Sequence, residues 1–194
     1  MPHSIEFLFD VGSPTAYLAW TQLPGLAKRT DADIKLTPIL LGGLFNGSGN
    51  HSPADVPAKR TYIAADCARF AERFGVPFNQ NPHFPVNTLM AMRAIAGADI
   101  EGAMDSVAAA AFEAMWIDGM NLGDPTELEA FANKAGVGID KFAGWITSDT
   151  AKAHLRANTD NAVQRGAFGA PTFFVNNEMF FGQDRLDWVE AAAS

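Results

Sequence analysis

The amino-acid sequence predicts an α/β fold in which a long helical segment is inserted into a small sheet domain. Three observations predict it. A strand–helix–strand pattern opens the chain, a strand–strand–helix pattern closes it, and mostly helical, alanine-rich segments lie between them. We therefore predict a sheet domain formed by residues 1–44 and 150–194, and an all-helical insertion formed by residues 45–149.

The opening unit begins with a short apolar run over residues 5–9, which predicts a buried strand. Ser13 suits the N-cap of the following helix. Pro14 suits its first position, because the missing N–H of proline would be unpaired there in any case. Pro24 predicts a kink or a break in this helix. Residues 34–37 alternate apolar and polar side chains and predict a second strand, parallel to the first.

The middle of the chain begins with residues 42–57, which are rich in glycine, asparagine, serine and proline and predict a loop. Apolar residues at helical spacing predict a helix over residues 58–74, ended by Gly75. An irregular connector is predicted over residues 77–85. Further helices are predicted over residues 87–95, 103–116, 126–135, 141–146 and 150–165.

The closing unit has strand character over residues 172–175 and 179–181. Asn176 and Asn177 between them predict a hairpin turn. A last helix is predicted over residues 184–193, with Asp184 as its candidate N-cap.

Composition excludes several classes of function. The chain has 194 residues and a formal net charge of −8, so we expect it to bind neither nucleic acid nor an anionic membrane. Cys67 is the only cysteine, which makes an intrachain disulfide impossible, and its place on an apolar helix stripe predicts a core position. The four histidines lack metal-ligand spacing, so we expect no metal site. The N-terminus lacks signal-peptide features, and we expect a soluble, cytoplasmic protein.

Three segments combine residues that could bind a ligand. Ser13 lies at a strand-to-helix junction, where helix N–H groups favour an anion, although capping alone also explains a serine there. Residues 166–171 form either a tight turn or a cis-proline loop that leaves the Ala170 backbone open to a peptide-like ligand. Asp184 could be the N-cap of the last helix, with Asp187 as the acid at its third position; alternatively, Gln183 and Asp184 bind the charged amino-acid end of a ligand.

These segments, in this order, resemble the thioredoxin/DsbA-like superfamily. More narrowly, the strand–Ser13-Pro14–helix unit, the Gly-Ala-Phe-Gly-Ala-Pro loop and the Phe-Gly-Gln-Asp-Arg segment resemble the 2-hydroxychromene-2-carboxylate isomerases and the related kappa-class glutathione transferases. The resemblance extends over essentially the whole chain. It implies a thioredoxin-like fold with a large all-helical insertion (DsbA-like) and glutathione as the cofactor.

The resemblance also implies the roles of individual residues. Ser13 stands where redox relatives carry the first cysteine of Cys-x-x-Cys, which excludes disulfide exchange. The family's serine hydrogen-bonds the glutathione sulfur, so Ser13 is the implied catalytic residue. Thr15 occupies a place where the family often carries an aromatic residue. The implied glutathione-binding residues, besides Ser13, are Asn50, Lys59, Ala170, Pro171, Gln183 and Asp184.

The implied reaction is the glutathione-dependent isomerisation of a small aromatic carboxylate, by thiolate addition, bond rotation and elimination. Lys59 and Arg93 are candidates for binding the substrate carboxylate, although a solvated helix face also explains both cations, and His83 or Asn87 could add a hydrogen bond. Two alternatives stay open: a kappa-class-like glutathione transferase, and a thioredoxin-like binding module without catalytic activity. The resemblance further suggests a homodimer.

Overall fold

The computed structural model describes residues 4–194, and a four-stranded mixed sheet lies at its centre. The strands are β1 (Ser4–Phe9), β2 (Asp33–Pro38), β3 (Thr172–Val175) and β4 (Glu178–Phe181), in the spatial order β2-β1-β3-β4. β1 is parallel to β2 and antiparallel to β3, and β3 is antiparallel to β4. The sheet therefore joins the two ends of the chain, as the sequence predicts.

Ten α-helices occur within residues 4–194, and most of them lie between the two halves of the sheet in the sequence. They are α1 (Pro14–Trp20), α2 (Leu23–Thr30), α3 (Leu41–Ser48), α4 (Pro57–Phe74), α5 (Leu89–Ile100), α6 (Met104–Glu113), α7 (Leu128–Lys134), α8 (Ile139–Thr147), α9 (Asp149–Gln164) and α10 (Leu186–Ala193). A π-helical turn extends α6 over Ala114–Asp118. No helix in this part of the chain is both long and apolar enough to cross a membrane.

The hydrophobic core joins the sheet to the inserted helices. β1 is a nearly continuous apolar run because it is a central strand and is covered on both faces. The ring centroids of Phe7 and of Phe173 on β3 are 5.2 Å apart, and those of Phe9 and of Phe112 on α6 are 5.6 Å apart. The buried Trp116 donates its indole N–H to the carbonyl oxygen of Val11 at 2.8 Å. These contacts place the residues that follow β1 against the helical segment.

The loop predicted over residues 42–57 is wrong for its first half, because α3 occupies Leu41–Ser48. Its glycines permit close packing of helices: a Cβ at Gly47 would lie 2.8 Å from a methyl group of Val163 on α9. Gly49 then ends the helix with a φ of 71°. Tertiary packing thus outweighs the low helix propensity of this segment.

The end of the chain differs from the prediction in one respect. Asp184 lies in a 3₁₀ turn over Gln183–Arg185, and α10 begins at Leu186, so Asp184 is not the N-cap of the last helix. The hairpin turn is confirmed, since Asn176 and Asn177 have φ values of 50° and 68°. The division of the chain into domains at residues 45 and 149 stays a prediction.

Candidate active site

A cavity of about 790 Å³ lies where the sheet domain meets the helical segment. Its wall contains the start of α1, parts of α3 and α4, the residues that lead into α5, and the loop before β3. The polar lining residues that the sequence predicted for the site are Ser13, Asn50, Asn87, Gln183 and Asp184.

Ser13 is held in the cavity wall by the way α1 begins. The backbone of Ser13 is extended, with φ −92° and ψ 117°, and its hydroxyl oxygen accepts a hydrogen bond from the Ala16 N–H at 3.1 Å. Pro14 is the first residue of the helix. The predicted N-cap is therefore confirmed, and it fixes the position of the hydroxyl of a residue that is only 5% exposed.

Two hydroxyl groups meet one main-chain carbonyl beside the cavity. The Ser13 hydroxyl donates to the carbonyl oxygen of Ala170 at 2.8 Å, and the Thr15 hydroxyl reaches the same oxygen at 3.2 Å. The Ser13 and Thr15 hydroxyl oxygens are 3.0 Å apart. This group of three oxygens joins the start of α1 to a loop more than 150 residues later in the chain.

The loop before β3 has a cis peptide bond between Ala170 and Pro171, so it is a cis-proline loop. The binding of a peptide-like ligand to Ala170 stays a prediction. Within residues 4–194 the Ala170 N–H has no hydrogen-bond acceptor. Gly169 is needed for the close approach of a ring, because a Cβ there would lie 2.6 Å from Phe181. The Asn50 amide donates to the carbonyl oxygen of Phe168 at 2.8 Å. The loop therefore presents an unpaired N–H beside the cavity.

The turn after β4 brings an amide and a carboxylate to the same cavity. Gly182 donates its N–H to the carbonyl oxygen of Pro171 at 3.0 Å, which ties this turn to the cis-proline loop. Gln183 is largely buried, and it lines the cavity. The exposed Asp184 carboxylate pairs with Arg185. The amide and the carboxylate are thus positioned to meet a polar ligand.

Asp10 is a buried carboxylate that sequence reasoning missed. It is 1% exposed and accepts hydrogen bonds from the N–H groups of Gly12 and Leu41 and from the Thr88 hydroxyl, at 2.8–2.9 Å. Burial raises the pKa of Asp10, while these three hydrogen bonds oppose the rise. Asp10 connects the turn after β1 to the starts of α3 and α5. Its signal in the sequence is a charged residue placed directly after a buried strand.

Two arginines that sequence reasoning also missed line the cavity. Arg185 is already paired with Asp184. Arg60 on α4 donates its Nε–H to the carbonyl oxygen of Ala54 at 2.8 Å and forms no ion pair within residues 4–194. That hydrogen bond fixes the side chain and leaves the remaining guanidinium N–H groups for an anion. Arg60 is therefore the lining cation best suited to a carboxylate.

Four of the predicted site residues do not line the cavity. Lys59 is exposed on α4; successive side chains on a helix point about 100° apart, and here the next residue, Arg60, faces the cavity. His83 is exposed in the connector before α5, Arg93 is partly buried on α5, and Pro171 is buried. The ligand-binding roles assigned to these four residues stay predictions.

Cys67 lies in the core, as the sequence predicts. It is 1% exposed, and burial, together with the nearby charge of Asp66, raises the pKa of its thiol to about 12. A thiol that stays protonated at neutral pH is a poor nucleophile. Residues 4–194 contain no cluster of three or more His, Cys, Asp or Glu side chains arranged for a metal ion.

Comparison with known proteins agrees with this architecture. Residues 4–193 match the model of the DsbA-like thioredoxin domain. The 2-hydroxychromene-2-carboxylate isomerase of Sphingobium xenophagum is 32% identical over 193 residues, which cover 98% of both chains. The chain belongs to this isomerase family. Its DsbA-like thioredoxin fold and its place among the enzymes of the isomerase class are thereby confirmed.

Two further comparisons support the same relationship. Glutathione S-transferase kappa 1 of Rattus norvegicus is 28% identical over 200 residues, covering 96% of this chain and 89% of the transferase. The solved structure of a selenomethionine 2-hydroxychromene-2-carboxylate isomerase superposes with a TM-score of 0.84 and 28% identity. The superposition covers 97% of this chain and 93% of that one. The predicted resemblance to the isomerases and to the kappa-class glutathione transferases is therefore confirmed.

Proposed function

We propose that this chain is a glutathione-dependent isomerase that acts on 2-hydroxychromene-2-carboxylate or a closely similar aromatic acid. One observation carries the proposal: the Ser13 hydroxyl lies in the cavity wall beside the unpaired Ala170 N–H, and the only thiol of the chain is buried in the core. The site thus has donors for a peptide-like thiol but no thiol of its own. The names of the relatives supply the class of substrate.

The lining residues fit the groups of glutathione one by one. The Ala170 N–H suits a peptide carbonyl, and the amides of Asn50 and Gln183 suit polar main-chain or carboxylate atoms. Asp184 suits the ammonium group of the γ-glutamyl end. A volume of about 790 Å³ accommodates the tripeptide together with a small aromatic acid.

Ser13, Ala170 and Gln183 would hold glutathione, which would supply a thiolate nucleophile for reversible addition to a conjugated carbon of the ring-opened substrate and so allow the former double bond to rotate. The role of Ser13 is to donate its hydroxyl hydrogen to the sulfur anion. An ordinary thiol with a pKa near 8.5 is only a few per cent ionised at pH 7. A hydrogen bond to the charged form lowers the thiol pKa and raises the ionised fraction.

The rest of the cavity suits an aromatic carboxylate. Its apolar wall includes Phe45, Ile63, Phe84, Val86 and Leu89. These side chains exclude water from a bound ring and contribute apolar contact area. Arg60 takes the carboxylate in this proposal. Asn87 bonds to the Leu89 N–H through its oxygen, which leaves its NH₂ group for a substrate oxygen.

The proposal is tested by following the two substrate isomers by chromatography, with and without glutathione. We expect rapid interconversion only when glutathione is present, and we expect all the glutathione to be recovered unchanged. The kappa-class relatives favour a second candidate, a transferase. That activity would consume glutathione and accumulate a stable conjugate. A rate that is the same without glutathione contradicts both candidates.

The substitution Ser13→Ala tests the assigned residue. We expect turnover to fall on the order of a hundredfold, because the sulfur loses a donor in a water-poor site. The free energy of unfolding should fall by only about 1 kcal/mol, the usual effect of losing an N-cap.

The matched control for this change is Ser148→Ala. Ser148 caps α9 in the same way, accepting from the Ala151 N–H at 3.2 Å, and it does not line the cavity. It should show the same loss of stability with turnover unchanged. If the turnover of Ser13→Ala falls by roughly tenfold or less, Ser13 acts only as a structural N-cap.

A further inference from the structure

The Thr15 hydroxyl contacts two other oxygen atoms in the wall of the cavity. It lies 3.2 Å from the Ala170 carbonyl oxygen and 3.0 Å from the Ser13 hydroxyl oxygen, in the wall of the cavity. We propose that Thr15 is a positioning residue that releases the Ser13 hydrogen for the glutathione sulfur. This inference rests on the proposed function and deepens it.

The argument begins with the single hydrogen of the Ser13 hydroxyl. A hydroxyl group donates one hydrogen bond only. In this structure Ser13 donates to the Ala170 carbonyl oxygen at 2.8 Å, and its lone pairs accept from the Ala16 N–H. Ser13 therefore cannot donate to a sulfur anion until its hydrogen leaves the Ala170 carbonyl.

The second step concerns the carbonyl that would lose its donor. Ala170 is 7% exposed, and within residues 4–194 its oxygen accepts from the hydroxyls of Ser13 and Thr15 only. A largely buried carbonyl left without a donor destabilises the state that contains it. That loss would oppose the rotation of the Ser13 hydroxyl toward the ligand.

Thr15 removes this obstacle. Its hydroxyl is already within reach of the Ala170 oxygen, so the carbonyl keeps one donor when Ser13 turns away. The two hydroxyls can share one acceptor because they project from the same turn of α1, two residues apart. The expected arrangement with ligand is Thr15 donating to Ala170 and Ser13 donating to the sulfur.

The test measures the thiol pKa of glutathione in its binary complex, from the ultraviolet absorbance of the thiolate as the pH is varied. Thr15→Val removes the hydroxyl and keeps the shape of the side chain. We expect it to raise the bound-thiol pKa by about one unit, which is about tenfold less thiolate below the pKa. The acid limb of the pH profile of kcat/KM should move to higher pH by the same amount.

Two further variants isolate the hydroxyl group. Thr15→Ser keeps the hydroxyl and should retain the wild-type thiol pKa, whereas Thr15→Ala should behave like Thr15→Val. Thr21→Val is the matched control: the Thr21 hydroxyl donates to the Leu18 carbonyl at the other end of α1, away from the cavity. This control should leave the thiol pKa unchanged.

The outcomes separate this inference from the proposed function. A thiolate signal with the same pKa in wild type, Thr15→Val and Thr15→Ala would overturn the role of Thr15 and leave the proposed function standing. If saturating glutathione gives no thiolate signal in the wild-type protein, the proposed function fails, and the role of Thr15 fails with it.

Discussion

The residues that form the site make hydrogen bonds to groups that are remote in sequence. Ser13 and Thr15 bond to Ala170, and Asp10 bonds to Leu41 and Thr88. These bonds join the segment between the end of β1 and the start of α1 to the loop before β3 and to the starts of α3 and α5. The position of the cavity therefore depends on a few polar side chains rather than on one loop.

Cys67 gives a test at the scale of one residue. Because burial raises the pKa of its thiol to about 12, we expect the native protein to react with a thiol reagent at least about a hundredfold more slowly than the unfolded chain. The measurement is the rate of release of the reagent's coloured group at mildly alkaline pH, with and without guanidinium chloride. Rapid labelling of the native protein would contradict a core position.

Sequence reasoning at this scale finds residues that have a local signal. Ser13 was found because a serine before a proline marks a helix start, and Ala170 because a proline follows it. Arg60 has no local signal, since the family resemblance indicates a basic residue at Lys59 but not which side chains of α4 line the cavity. Asp10 was missed because its partners lie about 30 and 80 residues later in the chain.

At the scale of elements, Glu6 connects two strands and a helix end. Its carboxylate accepts from the Thr37 hydroxyl at 2.9 Å and the Lys35 ammonium at 3.1 Å, both on β2, and from Arg165 after α9 at 2.6 Å. Partial burial alone would raise the pKa of Glu6. The three hydrogen bonds and the charge of Arg165 outweigh burial and lower it.

This shift predicts a pH dependence of stability. Because the folded-state pKa of Glu6 lies below its ordinary value of 4.5, the stabilisation is complete above that value and is lost as the pH falls through the folded pKa. Glu6→Gln should therefore reduce the free energy of unfolding by about 2 kcal/mol at pH 7, and the difference from wild type should shrink in acid. Urea titrations at several pH values measure it.

The matched control is Glu129→Gln, the same change on the exposed surface of α7. It should alter stability by less than about 0.5 kcal/mol at every pH. A Glu6→Gln variant whose deficit grows as the pH falls would contradict the assigned sign of the pKa shift.

The order of elements could be read from the sequence because most segments carry a local pattern. The strands alternate or are continuously apolar, and α4 repeats apolar residues at helical spacing. The segment of α3 lacks such a signal, because it contains glycines, which have a low helix propensity but allow close contact with α9. The predicted start of α10 at Asp184 differs from the observed start at Leu186, because Asp184 lies in a 3₁₀ turn beside the cavity and does not cap the helix.

At the scale of the whole molecule, the sheet and the helical segment form the site together. β1 and β2 come from the start of the chain and β3 and β4 from its end, and the cavity lies between this sheet and the helices. The division into a sheet and an insertion could be predicted from element order alone. The composition of the cavity wall could not, because it depends on how α3, α4 and α5 are oriented against the sheet.

The most direct test of the account is a crystal structure of the protein with glutathione bound. We expect the sulfur atom within about 3.5 Å of the Ser13 hydroxyl oxygen and the cysteine backbone of the tripeptide paired with Ala170. Thr15 should then be the donor to the Ala170 carbonyl. Glutathione bound elsewhere, or with its sulfur far from Ser13, would contradict the central claim.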